Sequence, residues 1–496
     1  MKASVRLDTD HNTGEIDPRI FGGFLEHLGR AVYEGVYDPG NPLSDDDGFR
    51  TDVIDALGKL RMPCVRYPGG NFVSNYDWRD GIGPRDQRPS RPDFAWKSVD
   101  PNTFGVDEFV AWCRTLNTEP MMAVNLGTLG PAEASALVEY CNLESGTSWS
   151  DMRRQNGHDA PHGIDMWCLG NEMDGPWQAG HVPAQEYAMR AQQAARLMKG
   201  IDPNIELVLC GSSGRGLDTY LEWDRIVLEY CWEDVDYISA HRYSRNTEDD
   251  SAWFLAEGVE IERILSDYDG LVKYVRGVKK SDKKVYVSFD EWNVWYKVMQ
   301  RDGGWSVAPH MMEEVYNLED ALICAQYLNA FIRHADLVKI ACLAQIVNVI
   351  APILTSSGGL LIQSTFYPFQ MFAERAKGVS LIPVVDSPTY TAGIRGDVPM
   401  LDVSACIDGD TAVVFLVNRS MTDDLDVEVY LADRRIEQVE SPIILTGNDP
   451  KAHNTWEDQD VVKPESGIAS VGADGGMNVS VPSLGMAVVE VNLGEL

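Results

Sequence analysis

Asp165-Met-Trp-Cys-Leu-Gly-Asn-Glu-Met-Asp-Gly-Pro-Trp177 is the stretch on which the reading of this chain turns. Its apolar run, 166–169, is short enough for a buried strand and stops at Gly170. Asn171 and Glu172 then stand side by side where the strand runs out. A carboxylate in that position is costly unless it has partners or a task.

The same rhythm extends in both directions. Residues 21–24 lead into Glu26-His27, and 64–67 stop at Pro68-Gly69-Gly70-Asn71. Further apolar runs at 121–124, 207–210, 237–240, 285–289 and 340–344 end in Asn125, Gly211-Ser212-Ser213, His241-Arg242-Tyr243, Asp290-Glu291-Trp292-Asn293 and Gln345. Helical spacing fills the gaps at 52–60, 109–116, 131–143, 183–199, 219–230, 254–278 and 318–335, with a last helix after Tyr367. Eight strand–helix units with polar residues at every strand's C-terminal end predict a (β/α)8 TIM barrel. A doubly wound open sheet would instead gather its ligands at one switch point.

After about Lys377 the texture changes to short strands between Asp, Gly, Asn and Pro turns. Thr411-Ala-Val-Val-Phe-Leu-Val-Asn418 is apolar throughout, whereas Leu425-Asp-Val-Glu-Val-Tyr430 alternates. The pattern predicts an antiparallel β-sandwich or jelly roll. Residues 3–7 form a strand expected to join it, followed by a turn at Asn12-Thr13-Gly14. The expected division is a catalytic barrel at 17–376 and a sandwich made of 1–16 plus 377–496.

Acidic residues outnumber basic ones 76 to 42, which argues against nucleic acid or an anionic membrane as partner. No basic-then-apolar leader opens the chain, and no run approaches a membrane span. The nine cysteines are scattered, and Cys64, Cys168, Cys210 and Cys342 sit in apolar runs. That usage fits reduced core thiols and a cytoplasmic location.

Two strand ends carry a glutamate: Glu172 after the fourth strand and Glu291 after the seventh. In a closed barrel both face one mouth, as a retaining glycosidase requires of its paired carboxyl groups. Tyr243, ending the sixth strand, is placed to donate to Glu291 and hold it ionised as nucleophile. Glu172, beside a negative Glu291 and next to Asn171, suits the general acid. Trp96, Trp177, Trp292, Trp295 and Trp305 all fall in expected loops after strands, where rings stack on sugar faces. His241-Arg242 is expected to be a structural hydrogen-bonding pair, with no second histidine at ligand spacing. Glu26-His27 has a structural alternative as a buried salt bridge at the barrel floor. The loop Gly211-Ser-Ser-Gly-Arg-Gly216 lacks the Gly-Lys-Ser/Thr ending of a phosphate cradle.

Gly170-Asn171-Glu172, the segment 288–292, Phe21-Gly-Gly-Phe-Leu-Glu-His27 and Arg66-Tyr-Pro-Gly-Gly-Asn71 together resemble glycoside hydrolase family 51, over nearly the whole chain. The resemblance implies a retaining exo-α-L-arabinofuranosidase acting on arabinoxylan or arabinan oligosaccharides without cofactor or metal. It implies Glu172 as acid/base and Glu291 as nucleophile. Glu26, Asn71 and Asn171 would bond the furanose hydroxyls, Tyr243 and Gln345 would complete the pocket, and Trp96 and Trp295 would wall it. Asn71 stands where many members carry Cys, and Asn348 lies close to Gln345 as an alternative. A homo-oligomer, often a hexamer, is implied too. The rival functions are a β-xylosidase or endo-glucanase of the same clan, a non-catalytic carbohydrate-binding barrel, and a metal-dependent barrel hydrolase.

Overall fold

The computed structural model describes residues 1–297 and 305–495. Eight parallel strands close into a barrel: β1 Gly22–Phe24, β2 Cys64–Tyr67, β3 Glu119–Val124, β4 Met166–Leu169, β5 Glu206–Leu209, β6 Tyr237–Ser244, β7 Tyr286–Val294 and β8 Val338–Ala344. Closure is between β8 and β1, with Cys342, Leu343 and Ala344 opposite Gly22, Gly23 and Phe24. Every residue of β2 and β4 is buried, because one face looks into the barrel and the other onto the helices. Two-sided burial explains why these strands are continuous apolar runs with no alternation. Inside, Phe24, Cys64, Met121, Cys168 and Ile340 pack together. A Cβ on Gly22 would come within 2.8 Å of Cys64 Sγ and 3.1 Å of Cys342 Sγ, so the narrow interior demands small residues. All nine cysteines are buried and free.

The helices lie where the spacing puts them, with extra pieces. Ser148–Gln155 adds a short helix before β4. The expected helix at 254–278 is two, Ser251–Phe254 and Gly258–Lys279. Between them, Glu257 is buried against Arg242, Ser244 and Arg395. β6 and β7 also run further than apolar patterning indicates. His241–Tyr243 and Asp290–Asn293 are strand residues, not loop residues, and the ladder shifts register just before each group. Such irregularities re-aim side chains at a barrel rim.

The C-terminal region is two packed sheets. One is built on Leu401–Asp408, Thr411–Asn418 and Gly485–Gly494. Thr411–Asn418 is apolar throughout because its alternate residues enter different cores. Ala412, Val414 and Leu416 face the other sheet, while Val413, Phe415 and Val417 join the core shared with the barrel helices. Phe415 stacks on Phe372 of the last barrel helix at 4.1 Å. In the second sheet Leu425–Leu431 alternates buried and exposed. Lys2–Leu7 pairs parallel to it, as expected of the N-terminal strand. Residues 12–14, expected as a turn, belong instead to strand Asn12–Glu15, which pairs with Val379–Leu381. Among the described residues, no helix is long and apolar enough to cross a membrane.

Candidate active site

A pocket of about 390 Å³ opens at the C-terminal ends of the strands. Eight of the nine residues singled out from sequence line it: Glu26, Asn71, Trp96, Glu172, Tyr243, Glu291, Trp295 and Gln345. The ninth, Asn171, is not in that lining. Its carbonyl accepts from Arg66 Nη2 at 2.7 Å and its amide donates one N–H to Asn71 at 3.3 Å, so the side chain links the two and keeps a second N–H.

The base of the pocket is a charge cluster. Arg66, fully buried on β2, donates Nη1 to Glu291 Oε1 at 2.8 Å and lies 3.7 Å from Asp290. Tyr243 donates its phenol to Glu291 Oε2 at 2.9 Å, so both nucleophile-candidate oxygens are held. Asp290 also accepts from Ser239 at 2.7 Å. Burial pushes its carboxyl up, but Arg66 and His241 outweigh that and keep it below the usual range. His241 bridges the carboxylates, with Nε2 2.9 Å from Asp290 Oδ1 and Nδ1 2.9 Å from Glu172 Oε1. Burial disfavours its charge, yet Glu291, Asp290 and Glu172 together hold the imidazole well above its ordinary range. Both ring nitrogens thus face carboxylate oxygens, surroundings that favour the charged ring.

Glu172 reaches the pocket differently. Gly170 at φ 87° and Glu172 at φ 43° turn the chain sharply off the end of β4. The left-handed region costs a non-glycine residue on the order of 1–2 kcal/mol, a strain that marks functional positions. Trp177, five residues on, donates its indole to Glu172 Oε2 at 2.9 Å. Oxygens of Glu172 and Glu291 and His241 Nδ1 all lie within 4.8 Å of one another.

Glu26 closes the opposite wall. Its Oε1 accepts from Phe72 N–H and Trp96 Nε1, both at 2.9 Å, and its own N–H donates to Gln345 at 2.9 Å. A Cβ on Gly70 would sit 2.5 Å from Glu26 Oε2, so only glycine lets the backbone approach this closely. Burial first, and the charge of Glu291 second, push the Glu26 carboxyl up to about 8. Trp295 meets Tyr243 edge-on at 5.2 Å. Outside this pocket, and sharing Asn71, Trp96, Glu172, Tyr243 and Trp295 with it, lies a cleft of about 1660 Å³.

Several expectations need correction. Trp292 is not a loop residue; it is fully buried against Tyr327, Phe331 and Phe369. Strand alternation sends Glu291 inward and therefore Trp292 outward to the helices. Glu26 and His27 are not a salt-bridged pair at the floor: His27 bonds Asp100 and Tyr67, and Glu26 faces the pocket. His241 is hydrogen-bonded as expected, with Glu172, Asp290 and Ser239 as its partners and Glu291 3.6 Å away. Asn348 turns away to the Arg30 carbonyl and Thr355, leaving Gln345 in the pocket. The loop 211–216 contributes Ser213, Gly214, Arg215 and Gly216 to the outer cleft wall. Arg66 and Asp290 received no role from sequence. A lone arginine inside the apolar run 64–67 was the available signal, since a buried guanidinium must find carboxylates.

Two clusters among the described residues have metal-ligand chemistry, Glu172–His241–Glu291 and Asp107–His158–His162. In the first, both His241 nitrogens are already engaged, Nδ1 with Glu172 and Nε2 with Asp290, each at 2.9 Å. In the second, Asp107 is already bonded to His162 at 2.7 Å and to Tyr140 at 2.8 Å.

Comparison with known proteins gives a consistent result. Residues 56–259 match the α-L-arabinofuranosidase 1 domain model, and residues 290–484 match the α-L-arabinofuranosidase C-terminal domain model. An intracellular exo-α-(1→5)-L-arabinofuranosidase of Acetivibrio thermocellus is 44% identical, over 95% of each chain. An exo-α-(1→6)-L-arabinofuranosidase of Bifidobacterium longum is 43% identical over 98% of this chain and 96% of its own. The solved structure of a family 51 α-L-arabinofuranosidase from Bifidobacterium longum superposes with a TM-score of 0.95 at 37% identity, covering 99% of both chains.

Proposed function

Because this chain belongs to the α-L-arabinofuranosidases of glycoside hydrolase family 51, we propose that it works by double displacement, with Glu291 as nucleophile and Glu172 as acid/base. It is an exo-acting α-L-arabinofuranosidase. The observation that carries the mechanism is that one oxygen of Glu172 and one of Glu291 lie within 4.8 Å of each other. Retaining enzymes hold their carboxyl groups about 5–5.5 Å apart, whereas inverting ones need roughly 6.5–9.5 Å to admit a water.

In the first step a Glu291 oxygen attacks the anomeric carbon while Glu172 gives its proton to the departing glycosidic oxygen. The bond to the leaving group breaks and an arabinosyl ester forms. Water then enters, loses a proton to Glu172 and displaces Glu291, so configuration is retained and both groups return to their starting states. Arg66 and Tyr243 keep Glu291 ionised and aimed. Charge that appears on Glu172 as it gives up its proton is met by the His241 and Trp177 N–H groups already bonded to it.

Glu26, Asn71, Asn171, Tyr243 and Gln345 supply polar contacts to one furanose ring, and Trp96 and Trp295 its walls. The pocket is much smaller than the cleft outside it, which suits exo action on a terminal sugar. We take the substrates to be arabinofuranosyl oligosaccharides derived from arabinan or arabinoxylan. A cytoplasmic location follows the naming of the relatives as intracellular, and a homo-oligomer, a hexamer by family resemblance, belongs to the same reading. NMR of the hydrolysis in progress tests the mechanism: the α-anomer of arabinofuranose must appear first. Initial release of the β-anomer would overturn it.

A further inference from the structure

The outer cleft carries a charge pattern that a neutral aglycone does not need. Its walls include the aromatic rings of Phe94, Trp177 and Trp253 and four cations, Arg215, Arg242, Arg245 and Lys297. Among the described residues, the one carboxylate on the same walls is Glu172. In a chain with 76 acidic and 42 basic residues and a net charge of −34, chance placement would give more acids than bases. Two of the cations are committed: Arg215 pairs with Glu260 at 2.9 Å, and Arg242 with the buried Glu257. Arg245 and Lys297 are exposed and have no ion pair among the described residues. The Lys297 ammonium lies 5.0 Å from the centre of the Trp295 ring, which holds it over the pocket mouth.

We infer that this cleft is an aglycone subsite for an oligosaccharide bearing a carboxylate, a uronic acid near the arabinofuranosyl unit that is removed. The inference rests on the arabinofuranosidase reading, since that fixes the aglycone as a sugar and hence the anion as the sugar's own carboxylate. Trp177 is 53% exposed and Phe94 62% exposed, flat apolar surface of the kind on which pyranose faces stack. Arg245 offers a planar fork that matches a carboxylate in two parallel hydrogen bonds. Lys297 adds a point charge from the Trp295 side. The overall negative charge of the protein repels acidic glycans at long range, so the subsite acts after encounter and selects among bound aglycones.

The test is a matched pair: an arabinofuranosylated xylo-oligosaccharide carrying glucuronic acid, and the same compound with that carboxyl reduced to the alcohol. At ~20 mM salt the acidic member should have a kcat/KM about three- to tenfold higher, the sum of two exposed ion pairs. The advantage should vanish at ~500 mM salt, where screening is effective within a few ångströms. Arg245→Ala and Lys297→Ala should each reduce the ratio, and the double variant should bring it to about one. Equal rates for the two compounds in the unmodified enzyme, or a preference that survives the double variant, would overturn the subsite alone. Failure to release arabinose from either compound, and from an aryl arabinofuranoside, would overturn the reading beneath it as well.

Discussion

The fourth and seventh strands bring a glutamate to the same pocket by opposite means. β7 continues through Glu291, which stays in the ladder opposite His241 on β6 and is gripped by Arg66 and Tyr243 from two further strand positions. β4 stops at Leu169, and Glu172 arrives on a left-handed turn two residues beyond the strand's glycine stop. Its partners are one strand histidine and one half-exposed loop tryptophan. A nucleophile must stay ionised and fixed, and rigid elements with a buried arginine provide that. An acid/base must exchange a proton with the leaving group and with water, and so belongs at the strand end nearest the open cleft. The difference in anchoring corresponds to the difference in task.

The comparison breaks first at Glu291. Glu291→Ala should lower kcat by about 10⁴- to 10⁶-fold, the scale on which a covalent nucleophile is lost. The loss should be the same for oligosaccharides and for aryl arabinofuranosides with good leaving groups, because no leaving group replaces the attacking atom. Appreciable turnover of an activated aryl substrate would reverse the two roles.

Glu172→Ala should cost about 10²- to 10⁴-fold on oligosaccharides, the usual contribution of a general acid. Formation of the arabinosyl-enzyme from an activated aryl substrate should be nearly unaffected, and added azide should restore turnover with an α-configured arabinosyl azide as product. A loss indifferent to the leaving group would remove the acid role. Tyr243→Phe should cost less than either glutamate substitution. It deletes one hydrogen bond to a charged oxygen, which corresponds to about 10- to 100-fold in kcat with little change in KM.

Much of this contrast was legible in the sequence. Eight apolar runs with polar ends specify a barrel, and two of those ends specify the carboxylate pair. The Tyr243 contact followed from adjacency of the sixth and seventh strands. What was not legible was strand length at the rim. Polar residues are the usual sign that a strand has ended, yet β6 and β7 continue through His241 and Glu291 because the barrel mouth supplies the charged partners that water supplies elsewhere. That error put Trp292 in a loop. The link from Asn171 to Arg66 was also out of reach, since Arg66 is 105 positions away and only closure brings β2 near β4.

Glu26 gives the smallest effect on rate and the finest test of where the fixed charge lies. Its carboxyl is pushed up to about 8, by burial first and then by the charge of Glu291, against about 4.3 in an unfolded chain. Between those values the folded protein carries a proton there and the unfolded chain does not. Folding therefore takes up a proton, and this group's effect is to make stability fall as pH rises from about 4.5 towards 8, by at most about 1.4 kcal/mol per pH unit. Glu26→Gln mimics the protonated form, so at pH 6 it should change kcat/KM by no more than about fivefold. Its Tm should decline less steeply than that of the unmodified enzyme across that range in a thermal melt series. Parallel pH profiles would mean that Glu26 is ionised in the pocket. In Glu291→Gln the neighbouring charge is gone, so the steep part of the profile should move to lower pH. Such a shift would identify the ionised Glu291 at the base of the pocket as the charge that Glu26 senses, the state a nucleophile on β7 must hold before substrate arrives.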